Sequence, residues 1–167
     1  MRIEEFNALG AAEARAVVAP AARVGWWVDA VVAGRPYGSR EAVLDAAAAE
    51  AVLWTSTDVA AALAHHPRIG EKPAGGGVEA ELSRREQAAI VDRGPRDPGL
   101  EEAIAHGNRA YEARFERVFL IRAAGRSRKE ILDELVRRLD NDPETETAEV
   151  ADQLLQIALL RLEEALT

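Results

Sequence analysis

The densest group of reactive side chains in the sequence is residues 65–71 (HHPRIGE). The helical pattern before it is predicted to end at about His65, because Pro67 pushes the residue before it out of the helical region. At a helix C-terminus the helix dipole favours the cationic form of a histidine such as His66, which suits proton transfer near neutral pH. The alternative is that the histidine only caps its helix.

A second group lies at residues 83–87 (SRREQ). Ser83 and Glu86 have the spacing of a capping box, which by itself accounts for both residues. A helix that begins at Ser83 would also offer free N–H groups to an anionic ligand. Gln87 adds an amide that can hydrogen-bond to a ureido or imide edge. The two interpretations, a helix cap and a ligand site, both remain open from the sequence.

Metal and cofactor motifs are absent from the sequence. The three histidines are His65, His66 and His106, and adjacent histidines on a helix diverge by about 100°, so they rarely bind one ion. The sequence contains no HExxH, Walker A or GxSxG motif and no GxGxxG after a strand, and the Gly75–Gly77 tract is typical of a loop. We therefore expect neither a metal nor a cofactor.

Length, charge and the lack of cysteine limit the classes of function. A chain of 167 residues is the size of one domain, and its net charge of −8 disfavours nucleic-acid and anionic-membrane partners. With no cysteine, the chain has no disulfide and no thiolate chemistry, which fits a reducing compartment. No stretch of about 18 residues is both apolar and free of charged residues. The first residues do not have the layout of a signal peptide. We expect a cytoplasmic protein.

The elements that would position these residues are predicted to be helices, since alanine is abundant and aromatic residues make up only 5% of the chain. Phe119-Leu120-Ile121 is a short extended apolar run, and Ser127 with Glu130 predicts a capping box. We predict one all-α domain over residues 1–167, a bundle of about seven or eight helices whose functional surface uses the loop after His66. The predicted helices cover about residues 7–18, 22–33, 40–54, 56–65, 83–93, 100–117, 128–139 and 143–166.

Five groups of residues, in order along the chain, resemble the 2-oxo-4-hydroxy-4-carboxy-5-ureidoimidazoline (OHCU) decarboxylase family. The resemblance also includes residues 3–7 (IEEFN) and 141–144 (NDPE), so it extends over nearly the whole chain. The five groups are residues 66–71 (HPRIGE), Ser83-x-x-Glu86-Gln87, Asn108-x-x-Tyr111-x-x-x-Phe115, Phe119-Leu120-Ile121 and Ile157-x-x-Leu160-Arg161-Leu162.

The resemblance implies an all-helical, cofactor-free enzyme of urate breakdown that decarboxylates OHCU to (S)-allantoin. By motif match His66 would be the catalytic histidine and Glu86 the catalytic carboxylate. The resemblance also implies that the protein is a homodimer. The residues that the resemblance places around the substrate are Pro67, Ser83, Gln87, Arg161 and, through backbone groups, Phe119, Leu120 and Ile121.

The sequence departs from the family pattern at two places. Glu116 stands where the pattern has a small glycine, and Ala88-Ala89 replaces Ala-Gly. An alternative to the enzyme is a non-catalytic helical binding or interaction module on the same scaffold. For Arg161, the alternative to a substrate contact is a solvated charge near the end of the last helix.

The implied chemistry fits the absence of a cofactor motif. The electron pair left by loss of carbon dioxide can be accepted by the neighbouring C=N bond of the substrate ring, so neither pyridoxal phosphate nor a metal is needed. The protein must then handle protons and fix the geometry, for which a histidine and a carboxylate suffice.

Overall fold

The computed structural model describes residues 1–64, 66–71, 78–92 and 97–167, except for the Glu79 side chain. Within these ranges all regular secondary structure is α-helix, which confirms the predicted fold class. The described helices are α1 (Ile3–Ala8), α2 (Ala11–Val18), α3 (Gly25–Ala33), α4 (Arg40–Ala51), α5 (Ser56–Leu63), α6 (Val78–Ala88), α7 (Pro98–Phe115), α8 (Arg128–Leu139) and α9 (Pro143–Ala165). The predicted loop at Gly75–Gly77 and the predicted break at Gly94-Pro95 lie outside the described residues.

The helices form two compact units. One unit comprises residues 1–62 together with 154–167, and the other comprises residues 63–153. The second unit contains α6, α7, α8 and the first half of α9, and it carries all the predicted site residues except Arg161. That the whole chain forms one domain stays a prediction.

In the first unit, the predicted helix over residues 7–18 is divided in two. Leu9 is extended, with φ −63° and ψ 146°, and it ends α1 two residues before α2 begins. Helix α3 packs against both α2 and α4. Trp27 is fully buried, and its indole nitrogen donates a 2.8 Å hydrogen bond to the carbonyl of Ala47 on α4.

The second unit is built on the packing of α7 against α8. Gly107 allows this close approach, because a Cβ at that position would lie 2.6 Å from Cδ2 of Leu135. The apolar core around this contact consists of the buried residues Ile69, Ile104, Tyr111, Phe119, Ile121, Ala123, Ile131 and Leu135. Phe119 and Ile121 thus join the core from a non-helical segment, as the sequence predicted.

The ends of several helices follow local signals in the sequence. The hydroxyl of Ser39 accepts a hydrogen bond from the Ala42 amide at 3.2 Å, and Ser127 with Glu130 forms the predicted capping box. Helix α7 ends at Phe115, and the next residue, Glu116, has the left-handed conformation with φ 55°. Glycine is the residue that adopts this conformation most easily, and it is the residue that the resemblance led us to expect at this position.

Crossing a membrane requires a helix that is both long and apolar. Among the described helices, none meets both conditions.

Candidate active site

His66 begins a short loop that follows α5. Its backbone amide donates a 2.9 Å hydrogen bond to the carbonyl of Leu63, the last residue of that helix. The His66 and Pro67 side chains are half-buried. Helix α5 thus ends at Leu63, two residues earlier than the predicted end at about His65, and His65 itself lies outside the described residues.

Four side chains hold the loop of residues 66–71 in place, and two of them are amides. Gln87 on α6 accepts a hydrogen bond from the Gly70 amide and donates one to the Glu71 carbonyl, both at 3.2 Å. Asn108 on α7 donates from Nδ2 to the Ile69 carbonyl at 3.0 Å. Gly70 has φ +87°, a left-handed conformation that glycine adopts without strain. The amides therefore fix the loop through its backbone.

The other two side chains, those of Arg68 in the loop and Glu112 on α7, form an ion pair. The Arg68 guanidinium donates from Nε and Nη2 to the two carboxylate oxygens of Glu112, and the Nη2 bond is 2.7 Å long. This guanidinium keeps the pKa of Glu112 below its usual value. The ion pair and the hydrogen bond from Asn108 to Ile69 both connect the loop to α7.

Helix α6 presents the second predicted group, but Ser83 does not begin the helix. The helix starts at Val78, so Ser83 lies in its interior and its spacing with Glu86 is not a capping box. The prediction that helix N-terminal amides at Ser83 bind an anion is therefore wrong. The preceding Glu81 and Leu82 favour helix, so the helix extends before Ser83.

The positions of these residues on α6 still suit a site. Ser83 is 3% exposed, and Glu86 and Gln87 are half-buried. Ser83 and Gln87 are four residues apart, so they lie on one face of the helix, with Glu86 beside them. Gln87 joins this face to the loop of residues 66–71, so His66 and Glu86 belong to two segments that are bonded to each other.

A buried ion pair supports the segment of residues 119–121. Arg138 on α8 and Glu146 on α9 are 1% and 0% exposed, and Nε of Arg138 donates to Oε1 of Glu146 at 3.0 Å. Arg138 also donates from Nη1 to the Leu120 carbonyl at 2.8 Å, and its guanidinium lies 4.7 Å from the centre of the Phe119 ring. The backbone carbonyl of Leu120 is therefore bound within the protein.

The Glu146 carboxylate has two further donors. The Tyr111 hydroxyl donates to Oε1, and Nδ2 of Asn141 donates to Oε2 at 2.8 Å. Burial raises the pKa of Tyr111 well above its usual value, and the Glu146 carboxylate raises it further. Sequence reasoning missed the roles of Arg138 and Glu146, because nothing in their spacing across the turn at residues 140–142 signals a pair.

Arg161 lies in the other unit and is 5% exposed. Its Nη1 donates a 3.1 Å hydrogen bond to the carbonyl of Pro20. The alternative of a solvated charge is therefore wrong, because α9 turns this side chain toward its buried face.

Within the described ranges, no three histidine, aspartate or glutamate side chains are close enough to hold a metal ion.

Comparisons with known proteins identify the family. The family model described as OHCU decarboxylase matches residues 7–163. Comparison with the sequences of curated proteins finds no significant match.

Two solved structures share the fold. A crystal structure of OHCU decarboxylase in the presence of (S)-allantoin has a TM-score of 0.70 and 21% identity, covering 87% of this chain and 94% of that one. A crystal structure of (S)-allantoin synthase has a TM-score of 0.73 and 15% identity, covering 99% of this chain and 54% of that one. The structural matches show the fold, and the family match over residues 7–163 shows that this chain belongs to the OHCU decarboxylase family.

Proposed function

We propose that His66 and Glu86 carry out the proton transfers when this chain decarboxylates OHCU to (S)-allantoin. The decarboxylation is the reaction of the family to which the chain belongs. The observation that carries the assignment is the double hydrogen bond of Gln87 to Gly70 and Glu71. It joins the loop that begins at His66 to the turn of α6 that contains Glu86.

The reaction needs a base, an acid and a fixed substrate. As carbon dioxide leaves, the electron pair of the broken C–C bond forms a C=C bond in the ring, and the pair of the adjacent C=N bond moves onto the ring nitrogen, which gains a proton. The ring hydroxyl loses its proton to become a carbonyl, and the neighbouring carbon gains a proton. With His66 and Glu86 as the proton carriers, the carbon is protonated on one face only, and one enantiomer of allantoin forms.

The substrate contacts are part of the same proposal. Ser83 lies on the same face of α6 as Gln87, and Pro67 follows His66 directly. Phe119 and Ile121 would offer backbone groups to the substrate, whereas the Leu120 carbonyl is already bound by Arg138. The ring itself accepts the electron pair, so the proposed reaction uses neither a cofactor nor a metal.

The test measures the chirality of the product. The protein is incubated with freshly generated OHCU, which decays spontaneously to racemic allantoin, and circular dichroism follows the enantiomeric excess. We expect His66→Ala and Glu86→Gln to lower the enzymatic rate by about 10²–10⁴-fold. Glu81→Gln is the control, because Glu81 is an exposed carboxylate on the same helix.

Two results would contradict the proposal. Full activity of Glu86→Gln would show that Glu86 is not a catalytic residue, since glutamine cannot take up a proton. Racemic allantoin from the folded wild-type protein would instead favour the alternative of a non-catalytic binding module.

The role of Arg161 in holding an anionic group of the substrate stays a prediction. Arg161→Lys keeps the charge but loses the planar guanidinium group. If Arg161 binds the substrate through two parallel hydrogen bonds, Arg161→Lys should lose nearly as much activity as Arg161→Ala. Because Arg161 is buried and bonded to the Pro20 carbonyl, both variants also need a melting curve. Wild-type rates in both folded variants would exclude Arg161 from the site.

We further propose that the protein is a cytoplasmic homodimer. The absence of cysteine fits a reducing compartment, and the exposed Val52 and Leu53 offer apolar surface outside the core. Sedimentation velocity tests the assembly, since a species of 18.1 kDa at micromolar concentration would be a monomer.

A further inference from the structure

The second unit contains a cavity of about 390 Å³ that shares only Gln87 with the predicted catalytic and substrate-binding residues. Small-molecule sites have volumes of about 300–1,000 Å³, so the cavity is large enough for a small ligand. The described residues that line it come from the loop of residues 66–71 and from α6, α7 and α8. They are Arg68, Ile69, Gly70, Glu71, Gln87, Ile90, Glu101, Ile104, Ala105, Asn108, Arg109, Arg128 and Ile131.

Asn108 provides an unused hydrogen-bond acceptor in this lining. The side chain is 5% exposed, and its Nδ2 donates to the Ile69 carbonyl, which fixes the orientation of the amide. Its Oδ1 is buried and has no hydrogen-bond partner in the described structure. A buried acceptor without a partner is unfavourable, so a ligand with an N–H or O–H donor would gain affinity there.

Arg109 provides an unused positive charge. Two other arginines line the cavity, but Arg68 is paired with Glu112 and Glu71, and Arg128 is paired with Asp92. Arg109 is exposed, and it forms no hydrogen bond or ion pair with the described residues. A guanidinium in this state favours a carboxylate, which it can bind through two parallel hydrogen bonds.

We propose that this cavity binds a small carboxylate that also carries an amide N–H group. The carboxylate pairs with Arg109, the N–H donates to Oδ1 of Asn108, and the apolar part of the ligand contacts isoleucines such as Ile104 and Ile131. The inference does not depend on the reaction proposed above, because it concerns binding alone.

The test uses N-acetylglycine as the probe in an NMR titration of the intact protein. N-acetylglycine has the carboxylate and the N–H. In N-acetylsarcosine a methyl group replaces the N–H hydrogen, and in N-acetylglycinamide a neutral carboxamide replaces the carboxylate. We expect N-acetylglycine to bind about tenfold or more tightly than either analogue, with shifts at the amides of Gly70 and Ala105. Methylating the probe removes the bond to Asn108 without changing the protein.

Variants locate the bound probe. Arg109→Gln should weaken binding of N-acetylglycine about tenfold, to the level of N-acetylglycinamide. Lys129→Gln is the control for net charge, because Lys129 is exposed on α8 and is not part of the lining. Glu86→Gln should bind the probe as the wild type does.

Three results would overturn the proposal: no shifts at tens of millimolar N-acetylglycine, equal binding of N-acetylsarcosine, or binding that Glu86→Gln abolishes while Arg109→Gln preserves it. The last result would place the probe in the predicted catalytic site. None of the three bears on whether the chain decarboxylates OHCU, which the chirality assay measures separately.

Discussion

Replacing Arg138 with methionine should destabilise the protein far more than replacing an arginine on its surface. The variant leaves the Glu146 carboxylate buried without its guanidinium partner, and it removes the donor to the Leu120 carbonyl. Breaking a buried ion pair from one side costs about 3–5 kcal/mol. Tyr111 and Asn141 still donate to the carboxylate, so we expect a value near the lower end of that range.

The expected change in melting temperature follows from the size of the chain. At about 2.1 cal/mol/K per residue, 167 residues give an unfolding entropy of about 350 cal/mol/K near the midpoint. A loss of about 3–5 kcal/mol therefore lowers the melting temperature by about 9–14 °C. Calorimetry measures this shift, and a lower urea midpoint with an unchanged m-value shows that stability has changed without a change in the surface exposed on unfolding.

The neighbouring Arg137 offers a matched control. Its side chain is 49% exposed, and it pairs with Glu134 and Glu149 on the surface. Exposed pairs contribute about 0–1 kcal/mol each, so Arg137→Met should change the melting temperature by only a few degrees.

A double variant tests whether the partner charge causes the loss. Arg138→Met with Glu146→Leu removes both charges, so it should be more stable than the sum of the single changes predicts, by about 2 kcal/mol or more. Additive single effects, or a cost of Arg138→Met equal to that of Arg137→Met, would refute the reasoning. The same variants should also lower kcat/KM at temperatures where they are folded, because Arg138 positions the segment of residues 119–121.

Three further substitutions test other features of the second unit. Glu116→Gly should raise the free energy of unfolding by about 0.5–1 kcal/mol in urea titrations, because glycine adopts the left-handed conformation at the end of α7 with less strain. Gly107→Ala should lower it by about 1–3 kcal/mol despite the better helix propensity of alanine, because the new methyl group would overlap Leu135. The pKa of Glu112 is lowered in the folded state by Arg68, so this pair stabilises the protein above the usual glutamate pKa of 4.5 and the stabilisation is lost as the pH falls through the lowered value. The stability difference between wild type and Glu112→Gln should accordingly shrink to nothing in acid, and a constant difference in urea titrations from pH 7 down to pH 2 would contradict this.

The sequence predicted those features of the fold that depend on neighbouring residues. Apolar spacing predicted α9 almost to its last residue, with Leu154 and Leu162 fully buried. The polar framework of the site was less accessible to sequence reasoning. The bonds from Asn108 to Ile69 and from Arg138 to Leu120 join residues 39 and 18 positions apart, and no local pattern specifies which distant carbonyl a side chain meets.

The same four-residue pattern occurs twice in this chain with different outcomes. Ser127 and Glu130 form a capping box, whereas Ser83 and Glu86 lie inside a helix. The residues before each serine make the difference, because Gly125 has φ +80° and turns the chain before α8, while helix-forming residues extend α6 back to Val78. Since no cap needs Ser83 or Glu86, helix capping does not account for these two side chains. Their place in the site stays a prediction, which the chirality assay on Glu86→Gln tests.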